Sequence, residues 1–200
     1  VNSGAGDDNI TASGNSDTIN AGDGNDIISV SGDSNTVNSG DGDDKITVNG
    51  NSDIVNAGNG SDVISVNGSS DTIDAGSGDN SIAASTGDHH SIVASNGNDS
   101  ISLINNTSDT IDAGDGNNKI TVNGGDHNQI TTGSNNDDIT VSSGSSHNTI
   151  NAGNGANNLT IAGHHNDVVS GTGDDHITVS GSDNTVSSGN GADSITVSGN

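Results

Sequence analysis

The sequence predicts an all-β fold, namely a parallel β-solenoid with about 18 residues and two short strands in each coil. Large apolar side chains are too scarce for a thick globular core, because hydrophobic residues make up 25% of the 200 residues and none is aromatic. Similar segments recur every 18 to 20 residues along the chain. Within each segment apolar and polar residues alternate, which is typical of strands rather than helices.

The repeat begins at an Ile or Val and can be followed through about eleven coils. We therefore expect residues 1–200 to form one continuous array with no separate domains and no caps. The repeats begin at Val1, Ile19, Val37, Val55, Ile73, Ile92, Ile111, Ile130, Ile150, Val168 and Val186.

Four positions of each repeat are apolar, and they predict the core. Counting from the first Ile or Val, these are positions 1, 3, 10 and 12, occupied in the second repeat by Ile19, Ala21, Ile28 and Val30. Each pair alternates with polar residues, so each predicts one strand. Glycine between the pairs predicts two turns, here called the first turn (positions 4–8) and the second turn (positions 14–17).

The first turn carries the candidate metal site. It has the pattern Ala/Ser-Gly-x-Gly-x-Asp-x-Ile, as in residues 21–28 and 39–46. Gly-x-Gly lets main-chain carbonyls point into the turn, and the Asp at position 8 adds a carboxylate, so the donors suit Ca²⁺. The candidate ligand residues are Asp8, Asp26, Asp44, Asp62, Asp99, Asp137, Asp175 and Asp193, with Gly22, Gly24, Gly40, Gly42, Gly58, Gly60, Gly171, Gly173, Gly189 and Gly191.

A ladder of Asp and Asn side chains bonded to the backbone is the alternative interpretation of position 8. Asn occupies that position at residues 80, 118 and 157, which favours the ladder locally. Carboxylates stacked about 5 Å apart would repel one another without a cation, which favours Ca²⁺ elsewhere.

These first turns resemble the nonapeptide repeat of the repeats-in-toxin (RTX) family, the hemolysin-type calcium-binding repeats. The family pattern is Gly-Gly-x-Gly-x-Asp-x-aliphatic-x, and here Ala or Ser mostly replaces the first Gly. The resemblance implies a β-roll-like solenoid, Ca²⁺ as the cofactor, and export of an unfolded chain to the extracellular space or cell surface. It also implies calcium at both edges of the solenoid.

The second turn lacks Gly-x-Gly but keeps an Asp, Asn or His before the next repeat. Because Gly-x-Gly is missing and Asn, a neutral donor and acceptor, occupies five of the ten positions, we expect calcium at the first turns only and a ladder of Asn and Ser at the second. Four histidines, at residues 89, 127, 147 and 165, fall in one column of that turn. An exposed polar position is the favoured interpretation, with a transition-metal site as the alternative.

Charge and composition limit the function. The net charge of −25 with only 2 basic residues argues against nucleic acid and anionic membrane partners, and no apolar run could insert in a membrane. We expect no enzyme, but a calcium-dependent structural segment of a secreted or cell-surface protein, contacting flanking repeats or itself end to end. The alternatives are a filament subunit and an ice-binding solenoid that uses the Thr and Ser at position 11.

Overall fold

A computed structural model describes residues 1–199 as a parallel β-solenoid without a helix in that range. Each coil gives one strand to each of two eleven-stranded parallel sheets, and the strand order in both sheets follows the chain. The predicted fold, with two short strands per coil and about eleven coils, is therefore confirmed.

The first sheet contains the strands at the start of each repeat. They are β1 Asn2–Ala5, β3 Thr18–Asp23, β5 Thr36–Asp41, β7 Ile54–Asn59, β9 Thr72–Asp74, β11 Ser91–Val93, β13 Thr110–Asp112, β16 Gln129–Thr131, β19 Thr149–Asn151, β21 Asp167–Val169 and β23 Thr185–Ser187.

The second sheet contains the strands around position 10. They are β2 Asn9–Ser13, β4 Ile27–Ser31, β6 Lys45–Asn49, β8 Val63–Asn67, β10 Ser81–Ser85, β12 Ser100–Ile104, β14 Lys119–Asn123, β17 Asp138–Val141, β20 Asn158–Ile161, β22 His176–Val179 and β24 Ser194–Val197. A short pair in the second turns, β15 Gly125–Asp126 and β18 Ser145–Ser146, completes the strands of the described residues.

The core is a single layer of aliphatic side chains between the two sheets. Ile19 and Ala21 of the first sheet and Ile28 and Val30 of the second are at most 1% exposed. Each column continues through the coils because equivalent residues pair in register, as Ile28 does with Ile46. Small and branched residues fit this thin layer, which has no room for a larger ring.

The second turn absorbs the changes in repeat length. In the coils of 19 residues the extra residue is Thr86, Asn105 or Gly124, each with a positive φ between 55° and 80°. The neighbouring strands keep their register, since Ile82 still pairs with Ile101. Longer repeats therefore change the turn and leave the core unchanged.

Glycine at position 4 is required by the close approach of successive coils. Gly40 has a φ of 116°, and a Cβ built there would lie 2.0 Å from the carbonyl oxygen of Gly22. A side chain would therefore push the two coils apart as well as strain the backbone.

We expect Gly40→Ala to lower the free energy of unfolding in excess Ca²⁺ by at least about 1–3 kcal/mol, the cost of a strained backbone residue. Thr47→Ser is the matched control, because Ser already occupies the paired positions 29 and 65 of the two neighbouring coils. Urea unfolding measures both variants, and equal stabilities would contradict the steric argument.

Candidate metal-binding turns

The stacked turns form two edges, each with a buried column of Asp, Asn or His at position 8 or 17. From the second coil onward, one oxygen of each Asp or Asn side chain accepts a hydrogen bond from the backbone N–H of its counterpart one coil earlier. On the first edge the Asp26 N–H donates to Asp44 Oδ1 over 2.8 Å, and on the second the Asp53 N–H donates to Asp71 Oδ1 over 2.8 Å. The hydrogen-bonded ladder is therefore present on both edges.

A second, exposed ladder runs in the opposite direction. At position 7 the side chain accepts from the N–H of the following coil: the Asn25 N–H donates to Asp7 Oδ1 over 2.8 Å, and the Asp43 N–H donates to Asn25 Oδ1 over 2.7 Å. Position 15 does the same on the second edge, where the Asn51 N–H donates to Asp33 Oδ1 over 2.9 Å. Each turn is thus bonded to both neighbouring coils.

The other carboxylate oxygen of the buried Asp residues distinguishes the candidate sites. This oxygen is buried and unpaired, meaning that it has no hydrogen-bond partner within residues 1–199. Six unpaired oxygens lie on the first edge and two on the second. The expectation of calcium at the first turns only does not include the two on the second edge. They are Oδ2 of Asp8, Asp26, Asp44, Asp62, Asp99, Asp137, Asp53 and Asp71.

Where Asn occupies the same positions, its Nδ2 often donates to a carbonyl of its own turn. Asn80 Nδ2 donates to the carbonyl of Gly78 over 3.1 Å, and Asn157 Nδ2 donates to that of Gly155 over 3.3 Å. On the second edge Asn35 Nδ2 donates to the carbonyl of Gly32 over 2.7 Å. An amide N–H therefore occupies the place where an Asp puts its unpaired oxygen.

The turns with Asp consequently bring two kinds of acceptor together. No N–H or O–H of residues 1–199 donates to the carbonyls of Gly24, Gly42 or Gly60, which precede the buried Asp by two residues. A carbonyl oxygen and a carboxylate oxygen that lie together repel each other unless a hydrogen-bond donor or a cation lies between them. This donor set suits Ca²⁺, so the residues fit the predicted ion.

Side chains alone do not complete a metal site. Among residues 1–199 there is no group of three or more His or Asp side chains placed to hold an ion. Main-chain carbonyls of the glycine turns would have to supply the remaining ligands. Gly24, with a φ of 132°, has a carbonyl without a donor among the described residues and suits this role. The predicted ligands at position 4 do not, because their carbonyls bond to the next coil: Gly58 accepts from the Ser77 N–H over 2.9 Å, and Gly171 accepts from the Asn190 N–H over 3.0 Å.

Two of the predicted ligand residues differ from the others. Asp175 Oδ2 accepts a hydrogen bond from Ser170 Oγ over 2.6 Å, so both of its oxygens are paired. Asp193 is half-buried, and its Oδ1 accepts from the Asp175 N–H over 3.1 Å. The sequence does not signal this difference, because Ser39 stands in the same place before Asp44, whose Oδ2 is unpaired.

Burial shifts the acidity of the candidate ligands. It raises the pKa of Asp62 and Asp99 on the first edge to about 6, and it raises the pKa of Asp71 and Asp109 on the second edge to about 6 as well. The cause is desolvation, because water no longer stabilises the charged form.

The histidines stack in the second turns as predicted. The rings of His127 and His147 lie 5.0 Å apart and nearly parallel, and His165 continues the stack at 4.9 Å. His90 differs, because it is buried at position 17 and its Nδ1 accepts from the Asp71 N–H over 3.3 Å. Burial lowers the pKa of His90, which favours the neutral ring in this role.

The Thr and Ser residues of position 11 lie in register on the outer face of the second sheet, where Thr121 pairs with Thr140. Flanking positions vary from Lys119 to Asp138. Ice binding and filament assembly stay predictions. No helix among the described residues is long and apolar enough to cross a membrane.

Comparison with known families finds matches to two separate stretches of the chain. A family model described as RTX calcium-binding nonapeptide repeat (4 copies) matches residues 2–37, 29–64 and 65–88. Another, described as a protein of unknown function (DUF3060), matches residues 143–200. Searches of curated proteins and of solved structures found no match. The resemblance is confirmed over residues 2–88, and such repeats imply that the bound ion is Ca²⁺.

The raised pKa values predict how the calcium-free chain responds to pH. A carboxyl with a higher pKa in the folded chain adds stability below its unfolded pKa of 3.8, and it loses that contribution as the pH rises through about 6. We expect the calcium-free protein to gain β structure, measured by circular dichroism, between about pH 7 and pH 5.

Variants identify the groups responsible for this gain. Replacing Asp62 and Asp99 by Asn should reduce it, since an amide does not titrate. Replacing the exposed Asp43 and Asp79 by Asn changes the net charge equally and should reduce the gain much less, because it removes only a minor charge repulsion and leaves the desolvation of Asp62 and Asp99 unchanged. Equal behaviour of the two double variants would contradict the assignment.

Proposed function

We propose that this chain is a calcium-dependent structural segment of a secreted or cell-surface protein, whose folding is coupled to Ca²⁺ bound in its stacked turns. The observation that carries the proposal is the set of buried, unpaired carboxylate oxygens beside carbonyls that lack a donor. The match of residues 2–88 to calcium-binding repeats supports the same ion.

The coupling follows from the cost of the turns without an ion. A buried polar atom left unpaired costs about 1–3 kcal/mol, and this cost recurs in successive coils. The thin aliphatic core must also offset an ordering entropy of roughly 1–2 kcal/mol for each residue. An ion held between two coils removes the first cost, so its binding free energy becomes folding free energy.

The strongest sites are those between consecutive coils with unpaired Asp. On the first edge these involve the pairs Asp8/Asp26, Asp26/Asp44 and Asp44/Asp62. On the second edge the pair Asp53/Asp71 has the same unpaired oxygens, so the proposal includes it. The pair Asp175/Asp193 ranks lower because Ser170 already donates to Asp175.

The location follows from the concentration of calcium. Extracellular modules bind Ca²⁺ with dissociation constants on the order of 10⁻⁴–10⁻³ M, far above cytosolic levels. A chain with such sites stays unfolded during export and folds outside the cell. The proposed role is structural.

A calcium titration followed by circular dichroism tests the proposal. We expect the β-structure signal in chelator to lie well below its value in excess Ca²⁺, and to rise cooperatively with a midpoint on the order of 10⁻⁴–10⁻³ M Ca²⁺. A spectrum in chelator at neutral pH that equals the spectrum in excess Ca²⁺ would contradict the coupling.

A matched pair of variants tests the site itself. Asp44→Asn should reduce the number of Ca²⁺ ions bound per chain, measured by calorimetry, because its amide can donate to the turn carbonyl as Asn80 does. Asp43→Asn makes the same change of charge at the exposed neighbour and should leave the number unchanged. An equal loss in both variants would mean that net charge, not the buried oxygen, attracts the ion.

A further inference from the structure

The buried turn residues change character along the chain. Six of the eight unpaired oxygens lie between Asp8 and Asp71, and the last belongs to Asp137. From residue 138 to residue 199 every buried polar side chain has a hydrogen-bond partner. These side chains are Ser145, Asn148, Asn157, Asn166, Ser170 and Asp175.

On the second edge of residues 138–199, the side-chain amides of Asn donate to the buried acceptors. Asn148 Nδ2 donates to Asn166 Oδ1 over 3.1 Å, and Asn166 Nδ2 donates to Asn184 Oδ1 over 3.1 Å. Asn184 Nδ2 then donates to the carbonyl of Gly163 over 2.9 Å. Three successive coils are thus joined by donors that belong to the protein.

On the first edge of residues 138–199, the buried side chains also have hydrogen-bond partners. Asn157 Nδ2 donates to the carbonyls of Gly155 and Ser170 at 3.3 and 3.2 Å. Ser170 Oγ lies within hydrogen-bonding distance of Asp175 Oδ2 and of the Ser188 carbonyl, at 2.6 and 2.8 Å. These partners satisfy the buried side chains of both edges without a cation, whereas the carbonyl of Gly173 has no donor within residues 1–199, like those of Gly24 and Gly42.

We propose that residues 138–199 form a calcium-independent section of the solenoid, which stays folded in chelator and offers its strand edge to the calcium-dependent coils that precede it. The inference rests on the proposed function, because it assumes that the unpaired oxygens bind Ca²⁺. Coils added to an existing edge avoid the cost of starting a new sheet, so loading with calcium extends the solenoid from residue 138 toward residue 1.

One atom group of the residue at position 8 or 17 decides whether a coil needs a cation. Asp and Asn have nearly the same shape, but Asn carries an N–H where Asp carries an unpaired oxygen. Exchanging the two in a buried column changes the requirement for a cation and little else. Replacing Asp by Asn, or Asn by Asp, at these positions therefore tests the inference in both directions.

Hydrogen exchange of the full chain, resolved by mass spectrometry of peptides, tests the section. In chelator we expect strand amides of residues 138–199 to stay protected while those of residues 2–88 exchange freely, and Ca²⁺ should protect both. Loss of protection in both parts together would overturn this inference and leave the proposed function standing. Protection of both parts in chelator would instead overturn the proposed function.

Asn166→Asp is the decisive variant. We expect it to lower the protection of residues 138–199 in chelator by roughly ten- to hundredfold, the effect of one buried unpaired group, and Ca²⁺ should restore it. Asn190→Asp is the control, because this exposed position is Asp in other coils, at residues 23, 41 and 115. Unchanged protection in Asn166→Asp, or equal loss in both variants, would overturn the proposal.

Discussion

The stacking of turns imposes the constraint on which the rest of the structure depends: each coil must satisfy the polar atoms of the next across a gap of about 5 Å. Side chains at positions 8 and 17 bond backward to the preceding coil, and those at positions 7 and 15 bond forward to the following one. This pair of opposed ladders fixes the register of the coils. The two sheets and the core columns keep that register between the turns.

The thin core makes those turns decisive for stability. Ile and Val columns bury their side chains fully, but the layer is only one side chain deep from each sheet. Hydrophobic burial therefore leaves a small margin over the entropy of ordering the chain. A few buried atoms per coil, paired or unpaired, are enough to decide whether a section folds.

The sequence was sufficient to predict the fold, because the alternation of apolar and polar residues and the glycines of the turns recur in every coil. The hydrogen-bonded ladder could also be foreseen from the Asp and Asn columns. The unpaired oxygens of Asp53 and Asp71 could not be foreseen. The second turn lacks Gly-x-Gly, and this indicated a hydrogen-bonded ladder there rather than a calcium site. The pairing of Ser170 with Asp175 was hidden as well, since it depends on which way one hydroxyl turns.

The extra residues of the second turn also affect how such a chain can vary. Coils with one added residue, such as Thr86 or Asn105, keep Ile82 opposite Ile101. Two added residues near Gly144 still leave Ile139 opposite Leu159. We therefore expect insertions to be tolerated at the second edge during evolution. A foreign peptide inserted there would be displayed at regular spacing without disturbing the two sheets.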